Sequence, residues 1–147
     1  MQPHVESFFD AQTSTFSHVL HAGPGTPCAI IDSVLGYDPK SARTDTRAAD
    51  GILAYVQQQR LVVHWLLETH AHADHLSAAA YLRQRLGGRI GASEAIRNVQ
   101  KVFMGIYNLP ADYCAEHGQF DHLFQADEAF TIGELRARAL HVPGHTP

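Results

Sequence analysis

Four side chains that can bind a metal ion lie within six consecutive residues of this chain. They are His70, His72, Asp74 and His75, and a fifth candidate, Glu68, stands just before them. Neutral imidazoles and carboxylates are ligands of Zn²⁺ and of non-haem Fe(II). In extended backbone, residues i and i+2 point to the same side, so His70 and His72 can face one metal ion together. The run therefore predicts either one metal site with outer groups around it or two adjacent metal sites.

An apolar strand and a helix are predicted to hold this run in place. Residues 62–67 are apolar apart from His64 and predict a buried strand, and residues 76–86 predict a helix that Gly87 ends. A polar cluster at the mouth of a strand is where α/β proteins place their chemistry. Asp74 can also cap the helix, since a carboxylate there accepts bonds from free backbone N–H groups. We interpret His64 as a structural histidine of the strand.

A second histidine motif stands at residues 141–147. Gly144 allows a tight turn and Pro143 stiffens the approach to it, so His145 is presented on a rigid loop. Residues 134–140 alternate polar and apolar side chains, which is typical of a half-buried strand. We therefore place His145 at a strand end as well, and interpret His141 as a strand residue rather than a ligand.

The two motifs, Thr69–His75 and Pro143–Thr146, together resemble those of the metallo-β-lactamase superfamily. Within it, the chain resembles the persulfide dioxygenases more closely than zinc hydrolases such as glyoxalase II. Residues 29–35 and 99–103 resemble a bacterial subgroup of these dioxygenases, and the resemblance extends from about residue 9 to residue 147. It implies an α+β fold, the duplicated αββα sandwich, of which residues 1–147 would form the N-terminal part as one domain.

In the dioxygenases, the resemblance implies one Fe(II) bound by two histidines, here His70 and His145, and by an aspartate. That aspartate belongs to a Gly-Asp segment with no counterpart in these residues. We therefore expect further chain after residue 147 and an incomplete ligand set within residues 1–147. The same resemblance implies that His72, Asp74 and His75 surround the iron, with Asp74 and His75 in catalytic roles. The expected reaction is oxidation of glutathione persulfide, or a related small persulfide, by O₂ to sulfite and thiol.

Two other functions remain open at this stage. In a zinc-dependent thioester hydrolase of the glyoxalase II type, His70, His72 and His145 would hold one Zn²⁺, and Asp74 with His75 would help to hold another. All five side chains are present, so these residues alone do not exclude it. A metal-binding or oligomerising module without turnover is the non-enzyme alternative.

Composition sets broader limits. A chain of 147 residues with 45% hydrophobic residues can bury a core, so one domain is expected. The net charge of −4 and the lack of a basic stripe argue against nucleic acid as a partner. No apolar run reaches the ~20 residues that span a bilayer, and the first residues lack the pattern of a signal peptide. Cys28 and Cys114 have no metal-binding spacing, so a reduced cytoplasmic location is expected, with Cys28 in the core.

One half of a sandwich would leave a sheet face uncovered, which predicts a homo-oligomer.

Local patterns predict the remaining elements. Asp32 is interpreted as a turn or cap residue more readily than as an outer group of the metal site. Aromatic residues between 101 and 120 are predicted to be core. The predicted elements are an edge strand at residues 15–20, a buried strand at 28–32, a loop at 37–45, a helix at 46–60, a short strand at 89–91, a helix start at 93, a solvated turn at 121–127 and a hairpin around Gly133.

Overall fold

Six strands in one sheet organise the computed structural model, which describes residues 2–110 and 118–145. Tyr113 and Cys114, for which the sequence predicted a core aromatic and no assigned role, lie outside the described residues. The elements in chain order are β1 (His4–Asp10), β2 (Thr15–His21), β3 (Pro27–Ile31), β4 (Val34–Asp38), β5 (Arg43–Asp45), α1 (Arg47–Gln58), β6 (Val62–Glu68), β7 (Leu76–Ser77), α2 (Ala79–Leu86), β8 (Arg89–Ser93), α3 (Ile96–Ile106), β9 (His122–Phe124), β10 (Ala129–Ile132) and β11 (Leu135–Arg138).

The order of the main sheet is β1-β2-β3-β6-β8-β9. Strands β1, β2 and β3 are antiparallel neighbours, whereas β3, β6, β8 and β9 run parallel to one another. The carboxyl ends of parallel strands meet at one edge of a sheet. Consequently Asp32, which follows β3, and Thr69, which follows β6, are neighbours although they are far apart in sequence.

Two layers cover the sheet on opposite faces. Helices α1 and α2 pack on one face, where Ala49, Ile52 and Val56 at helical spacing bury the predicted side of α1. The β10–β11 hairpin packs on the other face around Trp65, whose indole N–H donates to the carbonyl of Thr131 at 3.0 Å. Fully burying one large apolar side chain contributes roughly 1.5–3 kcal/mol, so both layers are held mainly by apolar packing.

Cys28 lies within the core, as predicted. It has no exposed surface, and burial raises the pKa of its thiol to about 12. The thiol therefore stays protonated and unreactive at neutral pH.

A β-bulge at His64 interrupts the regular pairing of β3 with β6. In the pairing of β3 with β6, Cys28 faces Val63 and the next residue, Ala29, faces Trp65, so the register skips His64. Two residues opposite one is the signature of a bulge. His64 is exposed on the strand and belongs to neither group of side chains whose donor atoms could hold a metal ion.

Three predictions of local structure are wrong. Residues 37–45 are not a loop, since β4 and β5 pair as a hairpin and β4 also pairs with β7. Residues 121–127 are not a solvated turn, because β9 extends the main sheet beside β8. The helix predicted from residue 76 begins at Ala79, and residues 76–77 form β7. Strands of two to five residues are too short for alternation to reveal them.

Two further predictions about position are corrected. The strand at residues 15–21 is not an edge strand, because β1 lies outside it. β1 is largely exposed, so its sequence carries little apolar signal. The aromatic rings of Phe103 and Tyr107 are exposed and stack on each other instead of entering the core. The predicted homo-oligomer stays a prediction.

Candidate metal centre

Four histidine rings form a continuous row beyond the end of β6. The ring centroids of His145 and His70 are 4.9 Å apart, those of His70 and His72 are 4.2 Å apart, and those of His72 and His75 are 4.1 Å apart. Asp74 lies at the far end, with Oδ2 3.4 Å from Nδ1 of His75. The structure therefore brings together all five side chains that the sequence predicted as ligands.

The strand ends and turns explain this convergence. β6 ends at Glu68, and the chain then crosses the sheet edge as an irregular loop before β7. Residues 69–75 are called the metal loop below. His145 arrives from the other side of the sandwich, after the hairpin, where Gly144 has a φ of +159°. Its ring packs edge-on against His70, although 75 positions separate the two residues.

Asp32 organises the metal loop from the neighbouring strand. Its carboxylate accepts the backbone N–H of Thr69 at 2.8 Å and the Thr69 hydroxyl at 2.7 Å. One of its oxygens also lies 3.1 Å from Nε2 of His72. Burial opposes ionisation, but the bonds from His72 and Thr69 hold the pKa of Asp32 below its usual value. The carboxylate is therefore charged at neutral pH.

His72 is the most strongly held ring of the row. Its Nε2 lies 3.0 Å from Oε2 of the buried Glu68 as well as 3.1 Å from Oδ1 of Asp32. Burial disfavours a charged imidazole, but the two carboxylates prevail and raise the pKa of His72 to about 9. In the metal-free protein this ring is therefore protonated at neutral pH.

His70 behaves differently. Its Nδ1 lies 2.8 Å from the hydroxyl of Thr69, which orients the ring. Burial and the positive charge of neighbouring His72 lower the pKa of His70, with Asp32 opposing the shift. A histidine must be neutral to bind a metal ion, so the surroundings of His70 prepare it as a ligand.

His75 supplies the sharpest indication that this centre is built for a cation. Its side chain has no exposed surface, and neither ring nitrogen has a hydrogen-bond partner among the described residues. A buried polar atom without a partner costs roughly 1–3 kcal/mol. Two groups of side chains have donor atoms within 4.8 Å of one another: Asp32 with His70 and His72, and His72 with Asp74 and His75. These residues fit a metal ion by donor type, spacing and burial.

An apolar cavity of about 430 Å³ opens beside His70. Its wall is formed mainly by aliphatic and aromatic side chains from the hairpin, from α3 and from the sheet face on which the hairpin packs, including Leu67, Ile96, Phe124 and Leu140. His141, which the sequence analysis interpreted as a strand residue, instead lies after the end of β11, where it is exposed and lines this cavity. A small molecule in the cavity would reach the row of histidines at the His70 end.

Sequence reasoning left out the groups that support the row. Glu68 was recognised only as another carboxylate, and the role that the sequence favoured for Asp32 was structural. Ser77 and Thr15 were not singled out, although Ser77 donates to Glu68 at 2.5 Å and Thr15 donates to Asp74 at 3.1 Å. A buried acidic residue at the end of an apolar strand was the one signal available for Glu68.

In the described residues, no helix is long and apolar enough to cross a membrane. The model of the metallo-beta-lactamase superfamily matches residues 12–147. The chain is 48% identical over 143 residues to a probable metallo-hydrolase of Burkholderia pseudomallei, covering 97% of this chain and 49% of that protein. It is 42% identical over 144 residues to glyoxylase B2 of Dictyostelium discoideum, again covering 97% of this chain and 49% of the relative.

Among solved structures, that of ETHE1 from Myxococcus xanthus superposes with a TM-score of 0.63 at 20% identity, over 90% of this chain and 45% of that one. The chain thus spans about half the length of the relatives just named. The family match covers both histidine motifs and confirms the fold that they predicted: this chain belongs to the metallo-β-lactamase superfamily and has its α+β fold.

Proposed function

We propose that the protein to which this chain belongs is an iron-dependent dioxygenase that oxidises a small persulfide, glutathione persulfide foremost, to sulfite and thiol. The observation that carries the proposal is the pairing of His70 with His145 at the mouth of the apolar cavity. The close resemblance of residues 69–75 to the persulfide dioxygenases supports it. The overall reaction converts persulfide, O₂ and water into thiol, sulfite and protons.

The ligand set follows from the division of roles among the histidines. His70 and His145 would hold Fe(II) together with a carboxylate from chain beyond these residues. Asp32 is assigned to holding the metal loop instead, because its two oxygens accept from Thr69 and lie against His72. Two histidines and one carboxylate on an iron leave three positions open, so iron would supply oxygen activation and a site for sulfur side by side.

The residues of this chain would bind and orient the reactants. The apolar wall excludes water from the sulfur end of the persulfide, and Thr69 keeps the His70 ring in one orientation. His72 and Asp74 lie beside the pair as charged groups that can hold or move a proton. Positioning of this kind contributes to the rate by fixing reactants within bonding distance.

One observation favours a second candidate, a zinc-dependent thioester hydrolase. The Nε2 atom of His72 is held by carboxylates, so Nδ1 is the nitrogen left for a metal ion, and His70, His72 and His145 could then form a three-histidine site. The name of the Burkholderia relative, a probable metallo-hydrolase, is in line with hydrolysis. Zinc there would supply a hydroxide for attack on the thioester.

Oxygen uptake separates the two candidates. The intact protein, loaded with Fe(II), should consume O₂ on addition of glutathione persulfide and form one sulfite per O₂. The same protein loaded with Zn²⁺ is the matched control, because zinc has no redox chemistry and should give no uptake. Hydrolysis of a glutathione thioester by the zinc form, with no oxygen uptake by the iron form, would replace the dioxygenase by the hydrolase.

A further inference from the structure

We propose that Glu68 is a positioning residue of the metal centre, which fixes the ring of His72 so that Nδ1 is directed toward the metal ion. The proposal rests on the metal centre of the proposed function and not on the reaction carried out there. Glu68 was noted in the sequence as a carboxylate beside the metal-binding run, but it is not one of the five residues assigned as ligands: His70, His72, Asp74, His75 and His145. Its role follows from its burial and from the two contacts of its carboxylate.

Glu68 is a buried carboxylate at the end of an apolar strand. Only 8% of its surface is exposed, and it is the last residue of β6, where it lies opposite Ala92 of β8. Burying a carboxylate is costly unless each oxygen finds a partner. The contacts of the two carboxylate oxygens therefore have to account for a glutamate at this position.

Both oxygens of Glu68 have a partner, and the partners lie at opposite ends of the metal loop. Oε1 accepts the hydroxyl of Ser77 at 2.5 Å, and Ser77 in turn accepts the backbone N–H of Ala79 at the start of α2. Oε2 lies 3.0 Å from Nε2 of His72. Glu68 therefore joins the end of β6, the middle of the loop and the start of the helix.

The contact with His72 determines which nitrogen is available. Carboxylates accept hydrogen bonds, so Nε2 must carry the proton that it shares between Glu68 and Asp32. Nδ1 is then the nitrogen whose lone pair can face a cation. A histidine that donates its other N–H to a carboxylate is the usual arrangement of metal-binding histidines, and losing the carboxylate typically weakens metal binding about 10–100-fold.

The test is the affinity of the metal-free intact protein for Zn²⁺, measured by competition with a chelator. Glu68→Leu keeps the size of the side chain and removes both acceptors, and we expect Zn²⁺ binding to weaken by about 10–100-fold with the fold intact. Glu68→Gln keeps an oxygen that can accept from Nε2, and should restore affinity to within roughly threefold of the original. Recovery in the glutamine variant separates positioning of His72 from a general effect of mutation.

Glu128→Leu is the matched control. Glu128 also contacts a histidine, with Oε1 2.7 Å from Nε2 of His122, but this pair lies outside the metal loop. The control should bind Zn²⁺ like the original protein. Unchanged affinity in Glu68→Leu, an equal loss in Glu128→Leu, or an equal loss in Glu68→Gln would each overturn the proposal.

Nitrogen-15 NMR of the histidine rings tests the proposal without any substitution. In the Zn²⁺-loaded protein, His72 should carry its proton on Nε2 and none on Nδ1. A ring protonated at Nδ1 would overturn the proposal even if Glu68→Leu failed to fold. Zinc affinity and ring protonation do not depend on persulfide turnover, so failure of the dioxygenase assay would leave this result standing, and the reverse also holds.

Discussion

The two glutamate–histidine pairs of this chain show how surroundings change the same interaction. His72 with Glu68 and His122 with Glu128 have similar separations, 3.0 and 2.7 Å. The side chains of the first pair are 6% and 8% exposed, and those of the second are 33% and 30% exposed. Water screens the second pair, and exposed ion pairs contribute only about 0–1 kcal/mol.

The buried pair also has neighbours that the exposed pair lacks. A second carboxylate, Asp32, reaches the same nitrogen of His72, and two further histidine rings lie against that ring. The exposed pair closes a turn between β9 and β10, where Glu128 also accepts the backbone N–H of Gln125. Convergence of several polar groups under burial, and not the contact itself, distinguishes the candidate metal centre.

The largest effect is expected when the pair of proposed ligands is broken. His145→Ala or His70→Ala should abolish stoichiometric iron binding by the intact protein, because each removes one of only two nitrogen ligands in a set of three. His64→Ala, at the exposed bulge of β6, is the control and should keep its iron. Metal analysis after gel filtration measures the iron content. Retained iron in His145→Ala would mean that the ligand assignment taken from the family resemblance is wrong.

Removal of the histidine from each pair sharpens the comparison. In the metal-free protein, His72→Ala leaves Glu68 and Asp32 buried without their shared partner and should lower the free energy of unfolding by about 3–5 kcal/mol. His122→Ala removes a partly exposed partner, together with ring contacts to Trp65 and Phe124, and should lower it by less than His72→Ala does. Urea unfolding measures both; equal losses would mean that burial does not distinguish the pairs.

The pH dependence of stability provides a smaller and independent effect. The pKa of His72 is raised from 6.5 to about 9 in the folded protein, so its contribution is complete below pH 6.5 and disappears as pH rises through 9. The metal-free protein should therefore lose up to about 3 kcal/mol of stability between pH 6.5 and 9. A flat pH profile of stability in the original protein would contradict the assignment. So would an equally large loss of stability between pH 6.5 and 9 in His72→Ala.

Asp74 should give the smallest effect and one that separates the two functions. It is half-exposed and accepts a hydrogen bond from Thr15, so Asp74→Ala should leave the fold intact. In the dioxygenase, turnover should fall about tenfold or more with little loss of iron, as for a proton-transfer or orienting group. In a two-zinc hydrolase, the number of zinc ions per chain should fall instead. Parallel measurements of turnover and metal content decide between them.

Much of the local structure follows from sequence patterns. The helix predicted at residues 46–60 is present as α1, and the hairpin predicted around Gly133 is present as β10–β11. Strong periodicity over enough residues was the common reason. The short strands β4, β5 and β9 were missed, because their pairing partners and not their own side chains make them strands.

The candidate site, like the fold, could be predicted from the sequence only in part. The residue types and spacing of His70, His72, Asp74, His75 and His145 predicted a metal centre, and the structure brings them together. The supporting groups could not be found in this way, since Ser77 and Thr15 are common residue types without a spacing rule. Their roles depend on which strand ends lie side by side.

By itself, the sequence determined the family, the fold class and the side chains that can bind a metal ion, because donor chemistry and local periodicity are properties of residues and short segments. Only the tertiary structure decided that Asp32 and Glu68 share one nitrogen of His72, that His145 meets His70, and that both ring nitrogens of His75 are buried without a hydrogen bond to any described residue. The parallel pairing of β3 with β6 and the return of the chain after the hairpin create these contacts. Burial then gives them their strength, because charges and hydrogen bonds removed from water are no longer screened.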